Sequence, residues 1–183
     1  KVEALAAAIQ SDAYHVKAVK PLPRRKLYTK VPLMDCFTAP CKGGCPIGQD
    51  IPEYMELCRK GQYARALEVI LEKNPLPFIT GTICAHHCMD KCTRNYYDRS
   101  VQIRATKLTA AERGYDTVMA ALKTPVPVCD GKKAAIIGGG PTGMAAAYFC
   151  AREGVPTTLF EKEDTLGGVV RHVIPGFRIS DEA

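Results

Sequence analysis

The chain has no run of about 18 apolar residues, so it offers no candidate membrane-spanning helix. Its N-terminus lacks a secretory signal pattern, and the two absences together predict a soluble protein. No internal repeat or low-complexity tract is present. Lys and Arg number 25 against 19 Asp and Glu, giving a net charge of +6. These cations are spread along the chain rather than clustered, which argues against nucleic-acid binding and leaves a mildly basic surface suited to an acidic redox partner. Residue 1 is not Met, which reads as a fragment or a processed end. What remains is a 183-residue chain, 46% hydrophobic, long enough to bury the core of one or two domains.

Nine cysteines are present, an odd number at short and regular spacings, which disfavours a disulfide framework. Beside a dinucleotide motif they point to the cytoplasm, where such a pattern signals metal or catalysis.

Residues 134–168 carry the most specific pattern. A short apolar run, Ala134 to Ile137, predicts a buried parallel strand, and Gly138, Gly140 and Gly143 follow as G-x-G-x-x-G. Gly138 permits the tight turn, Gly140 lets backbone approach a pyrophosphate, and Gly143 lets the next helix pack on the sheet. That helix, Ala-rich, offers its N-terminal N–H groups to phosphate. A second apolar run, Thr157 to Phe160, leads to Glu161, placed where an acid bonds a ribose 2′-OH. Glu161 would repel a 2′-phosphate, which disfavours NADP at this site and leaves FAD or NAD. Gly167-Gly168, in the loop after the second strand, resembles the second fingerprint of two-dinucleotide-domain flavoproteins and tilts the choice to FAD. Pro141 and Thr142 inside the fingerprint, and Lys162 after the acid, complete this part of the candidate set.

Four segments are expected. Residues 1–30 hold an Ala-rich helix, Val2 to about Ile9, and a basic Pro-punctuated link. Residues 31–122 form a helical cysteine-bearing unit: Ile51–Arg59 capped by Asp50 with Pro52 in its first turn, Tyr63–Lys73 with Leu67, Ile70 and Leu71 on one face, and a third helix from Val101 to about Gly114 capped by Ser100. Gly61 stops the first of these and Asn74-Pro75 the second. Residues 123–130 read as a linker and 131–183 as the start of a Rossmann-type sheet. Only one complete β-α-β unit is present, with a further helix expected near Ser180, so the chain reads as a piece of a longer polypeptide.

The cysteines fall into two triplets, Cys36-x4-Cys41-x3-Cys45-Pro46 and Cys84-x3-Cys88-x3-Cys92. Thiolates bind soft metals and iron–sulfur clusters, and a cubane takes four of them. Six cysteines beside a flavin-type motif favour electron transfer. His86 and His87, between Cys84 and Cys88, keep a Cys/His zinc site in view; otherwise they read as solvated loop histidines, and the cysteines as unmetallated. Cys58, Cys129 and Cys150 fit neither triplet, and Cys58 and Cys150 read as small buried hydrophobes.

The blocks LMDCFTAPCKGGCPIGQDIPEY, NPLPFITGTICAHHCMDKC, SVQIRATK, IIGGGPTGMAAA and LGGVVRHVIPGFRIS resemble, in the same order, the flavoprotein family of glutamate synthase small subunits and the N-terminal half of dihydropyrimidine dehydrogenase. The resemblance runs from about Leu33 to the end, and its nearest branch looks like the selenate reductase flavin subunit. It implies a helical domain holding two [4Fe–4S] clusters, followed by FAD- and NADPH-binding domains. Carried over, one cluster takes Cys36, Cys41 and Cys92, and the other Cys45, Cys84 and Cys88. The family's remaining ligand positions fall on Leu33 and Lys107, so each cluster lacks one ligand; Gln102, Tyr28 and Asp35 are the substitutes at hand. The closing VIPGFR resembles the family's flavin-contacting loop, which adds Ile174, Pro175 and Phe177 to the FAD set.

The expected architecture is therefore α plus α/β: a helical, cysteine-rich iron–sulfur-type domain, then the first β-α-β unit of an FAD-binding Rossmann domain. The expected function is the electron-input module of an NAD(P)H-dependent oxidoreductase, with the nicotinamide bound by a domain outside this chain. Electrons would pass from flavin to a partner domain or subunit, without any catalytic acid or base here, and a homodimer is allowed. The rival is a docking or dimerisation module that has lost its clusters or is held by zinc.

Overall fold

The computed structural model describes Ala4, Ala7, Ala8 and residues 38–96, 98–123, 127 and 131–182. The chain divides into two compact units, Lys1–Phe37 and Thr38–Ala183. In the first, Ala4, Ala7 and Ala8 are helical, as the Ala-rich start predicts. The rest of the basic link, and most of the 123–130 segment, lie outside the described residues.

The second unit opens with helices: α1 (Pro40–Gly44), α2 (Ile51–Arg59), α3 (Tyr63–Leu71), α4 (Pro77–Ile83), α5 (His87–Asp90), a 3₁₀ turn (Thr93–Tyr96) and α6 (Ile103–Ala121). The organising element is α6, which packs against α2, α3 and α4. Its buried residues Ile103, Lys107, Ala110, Ala111, Gly114 and Val118 recur at helical spacing and make one face. Ile51, Tyr54 and Leu57 of α2, Ala66 and Ile70 of α3, and Ile103 and Ala110 of α6 share one core with Cys88, while Leu67, Ala111 and Val118 make a second. Each large aliphatic buried here contributes about 1.5–3 kcal/mol. Close approach depends on glycine. A Cβ on Gly114 would stand 2.6 Å from the Tyr63 carbonyl oxygen, and one on Gly81 would stand 2.9 Å from Leu108 Cβ.

Helix ends follow local chemistry. Gly61 ends α2 at φ +73°, its N–H donating to the Cys58 carbonyl while Gln62 N–H donates to that of Leu57, a Schellman ending. Asn74, 2% exposed, closes the turn after α3: its amide donates to Thr80 Oγ1 at 2.6 Å and its Oδ1 accepts from Leu76 N–H at 3.2 Å.

Four expectations are corrected here. Asp50 precedes α2 but makes no capping bond; its carboxylate instead pairs with Lys42 Nζ at 2.6 Å, a stronger partner than a neutral N–H. Helix α3 ends at Leu71 rather than Lys73, with Leu71 only half-buried. Helix α6 starts after Gln102, not Ser100, and runs to Ala121, because packing on three helices carries it past Gly114. Near Ser180 the chain forms a turn, not a helix.

The second half is β1 (Ala134–Ile137), α7 (Pro141–Arg152), β2 (Thr157–Phe160) and the short α8 (Val169–His172). The strands pair in parallel, Ala134 beside Thr157 through Ile137 beside Phe160. The expected buried strand is corrected: burial alternates along both strands, and Ile137 is 91% exposed. Helix α7 packs on this sheet, so the residues facing it are partly covered and their neighbours, with period two, face away. The two halves touch where Tyr148 and Arg152 of α7 reach the carbonyls that end α3, Arg152 donating to Glu72 at 3.2 Å. No helix among the described residues is long and apolar enough to cross a membrane.

Candidate functional site

The cysteines are gathered by the crossing of short helices. Helix α1 packs against α5, so closely that a Cβ on Gly44 would stand 2.8 Å from the Lys91 side chain. This crossing brings α1, which carries Cys41, beside α5, which carries Cys88. Burial pushes the Cys41 thiol up, and the charge of Cys92 adds to that shift. Burial likewise pushes the Cys88 thiol up, with Cys45 and Cys84 adding to it. Cys41, Cys45 and Cys58 pack on the same buried core as Cys88. Cys88 and Cys92 are buried and the other three half-buried. Cys36 and Leu33 lie outside the described residues, as do Tyr28 and Asp35.

Lys107 lies on the buried face of α6. It is 5% exposed. Burial pushes its pKa down; the charges of Cys84, Cys88 and Cys45 oppose that, and Arg104 adds to it. Arg104, one turn earlier on α6, donates to the Cys84 carbonyl at 3.1 Å and ties that loop to the helix. Gln102, at the start of α6, is exposed.

Sequence reasoning missed two contributors and misread a third. Arg104 is one; its signal was its place one turn from Lys107. Tyr54 is 1% exposed and lies among Cys88, Cys45, Cys41 and Cys58, with burial driving its phenol well above the usual range. The third is His86. It adopts a left-handed conformation, φ +49°, its N–H donates to Cys84 Sγ at 3.4 Å, and its Nδ1 is buried without a partner. The expectation of two solvated histidines holds for exposed His87 and is corrected for His86.

The donor set can be tested against its metals. A zinc ion draws all its donors onto one centre. Among the described residues no group of three His, Cys, Asp or Glu converges in that way. A cubane spreads its thiolates over different irons, so its ligands stand farther apart, and the Cys45, Cys84 and Cys88 group beside a buried cation suits such an anionic cluster. The fit is of three thiols rather than four. Cys58 and Cys150 are half-buried; Cys58 packs against the core, and Cys129 lies outside the described residues.

The glycine turn is built at the C-terminal ends of β1 and β2, where open α/β sheets bind ligands. Gly138 turns at φ +102°. A Cβ on Gly143 would stand 1.8 Å from the Gly138 carbonyl oxygen, so only glycine lets α7 start this close to the strand. Pro141 is the first residue of α7 and Thr142 beside it is exposed. Gly167 and Gly168 sit at φ +120° and +52°, and a Cβ on Gly168 would stand 2.9 Å from Gly140 Cα. The two glycine loops are thus in backbone contact, with Gly167 N–H donating to the Gly139 carbonyl at 2.9 Å. Glu161 fastens the same place. Its Oε2 accepts from Gly139 N–H, and its Oε1 accepts from Lys162 N–H at 2.7 Å and Glu163 N–H at 3.1 Å. These bonds hold its carboxyl below the usual carboxylate range. A cleft runs past Gly138, Glu161, Lys162, Gly168, Val169 and His172. Ile174 is half-buried, while Pro175 and Phe177 are exposed.

Comparison with known proteins agrees with this division. Residues 32–117 match the family described as dihydropyrimidine dehydrogenase domain II, 4Fe-4S cluster. Residues 136–180 match the NAD(P)-binding Rossmann-like domain. The two matches fall on the helical cysteine-bearing part and on the glycine-turn part, and glutamate synthase small chains are among the proteins the chain is similar to. All of it is similar to "Putative oxidoreductase YgfK" of Escherichia coli (strain K12), at 45% identity over 182 residues, which are 18% of that protein. It is 37% identical over 79% of its length to the NADPH-Fe(3+) oxidoreductase subunit beta of Geobacter sulfurreducens, covering 22% of that chain. It is 34% identical over 80% of its length to the glutamate synthase [NADPH] small chain of Mycobacterium tuberculosis, covering 30% of that one. The chain therefore spans under a third of these relatives, and its own matches are to the 4Fe-4S domain over residues 32–117 and the Rossmann-like domain over residues 136–180.

Proposed function

We propose that this chain is the electron-input module of an NAD(P)H-dependent oxidoreductase that carries FAD and iron–sulfur clusters and passes electrons to a partner domain or subunit. The observation that carries the reading is the packing of Cys41 and Cys45 on the same buried core as Cys88, within residues that match a 4Fe-4S family. Two relatives whose names include NADPH, a subunit beta and a small chain, support a nicotinamide as electron source and an assembly with another subunit. The nicotinamide site belongs to a domain outside this chain.

In this reading residues 31–122 are the cluster-bearing unit, 123–130 the link and 131–183 part of the FAD domain. Cys36, Cys41 and Cys92 hold one cluster and Cys45, Cys84 and Cys88 the other. Gly138, Gly140, Pro141, Thr142 and Gly143 receive the pyrophosphate, Glu161 and Lys162 the ribose, and Gly167, Gly168, Ile174 and Pro175 the flavin side. Bound FAD supplies the exchange between hydride and single electrons. The chain's residues bind and orient; none has to move a proton. Glu161 keeps a lone pair for a ribose hydroxyl while clamping both glycine loops. The setting is the cytoplasm, where thiols stay reduced.

The test is an assay of FAD, iron and acid-labile sulfide on the full-length protein purified without oxygen. Stoichiometric FAD together with iron and sulfide is expected. A protein without flavin, or one holding zinc in place of iron, overturns the reading.

A further inference from the structure

Among the described residues, every hydrogen bond that joins the Rossmann-type half to the helical half comes from two side chains of α7. Tyr148 Oη donates to the Leu71 carbonyl at 3.4 Å, and Arg152 Nη1 donates to those of Leu71 and Glu72 at 3.5 and 3.2 Å. Leu71 ends α3 and Glu72 follows it, so the acceptors are free carbonyls at the negative end of that helix. A cation is the partner such an end favours. Packing does not fill this corner: an open groove of about 420 Å³ lies there, lined by Glu68, Val118, Leu122, Tyr148 and Arg152. The two ends of α7 thus serve different halves. Gly140 and Gly143 at its start belong to the glycine turn, and Arg152 at its end reaches α3. Between them run 12 residues, about 18 Å of helix. On the other side, α3 gives Ala66 and Ile70 to the core on which Cys41, Cys45 and Cys88 pack. Movement at this junction therefore moves the glycine turn relative to the cysteine core.

We propose that Arg152 and Tyr148 are positioning residues for electron transfer: their latch on the end of α3 sets how far a flavin at the glycine turn stands from the cysteine core. This rests on the electron-input reading given above. The step served is the one in which flavin that has taken a hydride gives up its two electrons singly to one-electron centres. Thin polar interfaces between domains permit relative motion, and the latch holds the close arrangement. Neither residue belongs to the glycine turn or to the cysteine core, so both act through the placement of the two halves.

Two readouts on the full-length protein test this. Hydrogen–deuterium exchange reports the junction: in Arg152→Ala the amides in the last turns of α3 and α7 should exchange about tenfold faster, the loss of charge-assisted bonds. Anaerobic stopped-flow mixing with NADPH reports the function. In the same variant the phase in which flavin passes electrons to the clusters should slow about tenfold, as the docked fraction falls. Flavin reduction by NADPH, FAD and iron content, and the reduction potentials should match the parent, so the slowing reflects distance and not driving force. Arg152→Lys keeps a cation at the α3 carbonyls and should restore most of the rate. Tyr148→Phe removes one neutral bond, should slow transfer less, and carries the test alone if Arg152→Ala does not fold. The proposal is overturned if the variant that folds leaves exchange or transfer unchanged, or if Arg152→Lys is as slow as Arg152→Ala. It is also overturned if Arg152→Ala and Tyr148→Phe both lose FAD or iron, the contact then being merely structural. A parent protein whose reduced flavin never passes electrons on defeats the electron-input reading itself, a different result seen before any variant is made.

Discussion

Single residues decide how firmly each site is held. Glu161 accepts three backbone N–H bonds that join the glycine turn to the loop after β2. Glu161→Ala frees all three, and FAD affinity should fall about tenfold or more, as expected for losing charge-assisted bonds; equilibrium dialysis of the full-length protein measures it, and unchanged affinity contradicts the clamp. The same bonds lower the Glu161 pKa, so the ionised, clamping form is complete at neutral pH and is lost only as pH falls through that lowered value, below the usual carboxylate range. The Gly139 amide resonance should therefore stay constant through weakly acidic pH and shift below it. A midpoint at or above the ordinary glutamate pKa would contradict the bonding. Arg104 is the equivalent tie for the cysteine loop, through the Cys84 carbonyl. Arg104→Ala should loosen that loop by about 1.5–3 kcal/mol and shorten the lifetime of cluster absorbance in air, with no change in the flavin spectrum.

At the scale of elements, α6 packs on α2, α3 and α4, and its closest glycine crossing is with α3. Alanine in place of Gly114 would gain about 1 kcal/mol of helix propensity, but its Cβ would meet backbone, 2.6 Å from the Tyr63 carbonyl oxygen. Backbone cannot rotate away, so the clash wins, and Gly114→Ala should destabilise the helical part by about 1–3 kcal/mol; a lowered Tm in thermal unfolding is expected and a raised one contradicts the packing. The same elements show what the sequence made legible. The bounds of α2, β1 and β2 were readable because Gly61, Gly138 and short apolar runs punctuate them. The start of α6 was not, because Ser100 is a better cap on paper than Gln102, and tertiary packing overrode it. The short helices α1, α4 and α5 carry too few turns for a periodic signal, though each begins at or beside a readable feature such as Pro40, Pro77 or Cys88. Asp50 shows the same limit, since its pairing with Lys42 depends on a fold no local pattern records.

For the whole molecule, the order of parts was legible: a cysteine-rich helical domain, then a Rossmann-like start, as the matches over residues 32–117 and 136–180 have it. The motif residues Gly138, Gly143 and Glu161 carried it, because their spacing follows from backbone geometry. What stayed hidden was the burial of Lys107 and of His86 Nδ1, since burial is a property of packing. The mildly basic balance, +6 over the chain, suits an acidic electron acceptor. Association with such a partner should then weaken as ionic strength rises toward the range where the Debye length falls below about 8 Å, which surface plasmon resonance across a salt series would register. The central claim is that this module joins a two-electron donor to one-electron centres. Its most direct measurement is an anaerobic titration of the full-length protein with NADPH, followed by absorbance and electron paramagnetic resonance together. Flavin absorbance should bleach and signals of reduced iron–sulfur clusters should grow with it. A protein whose flavin is reduced while iron-bearing clusters stay oxidised at every NADPH concentration, or whose flavin does not respond, would contradict the account.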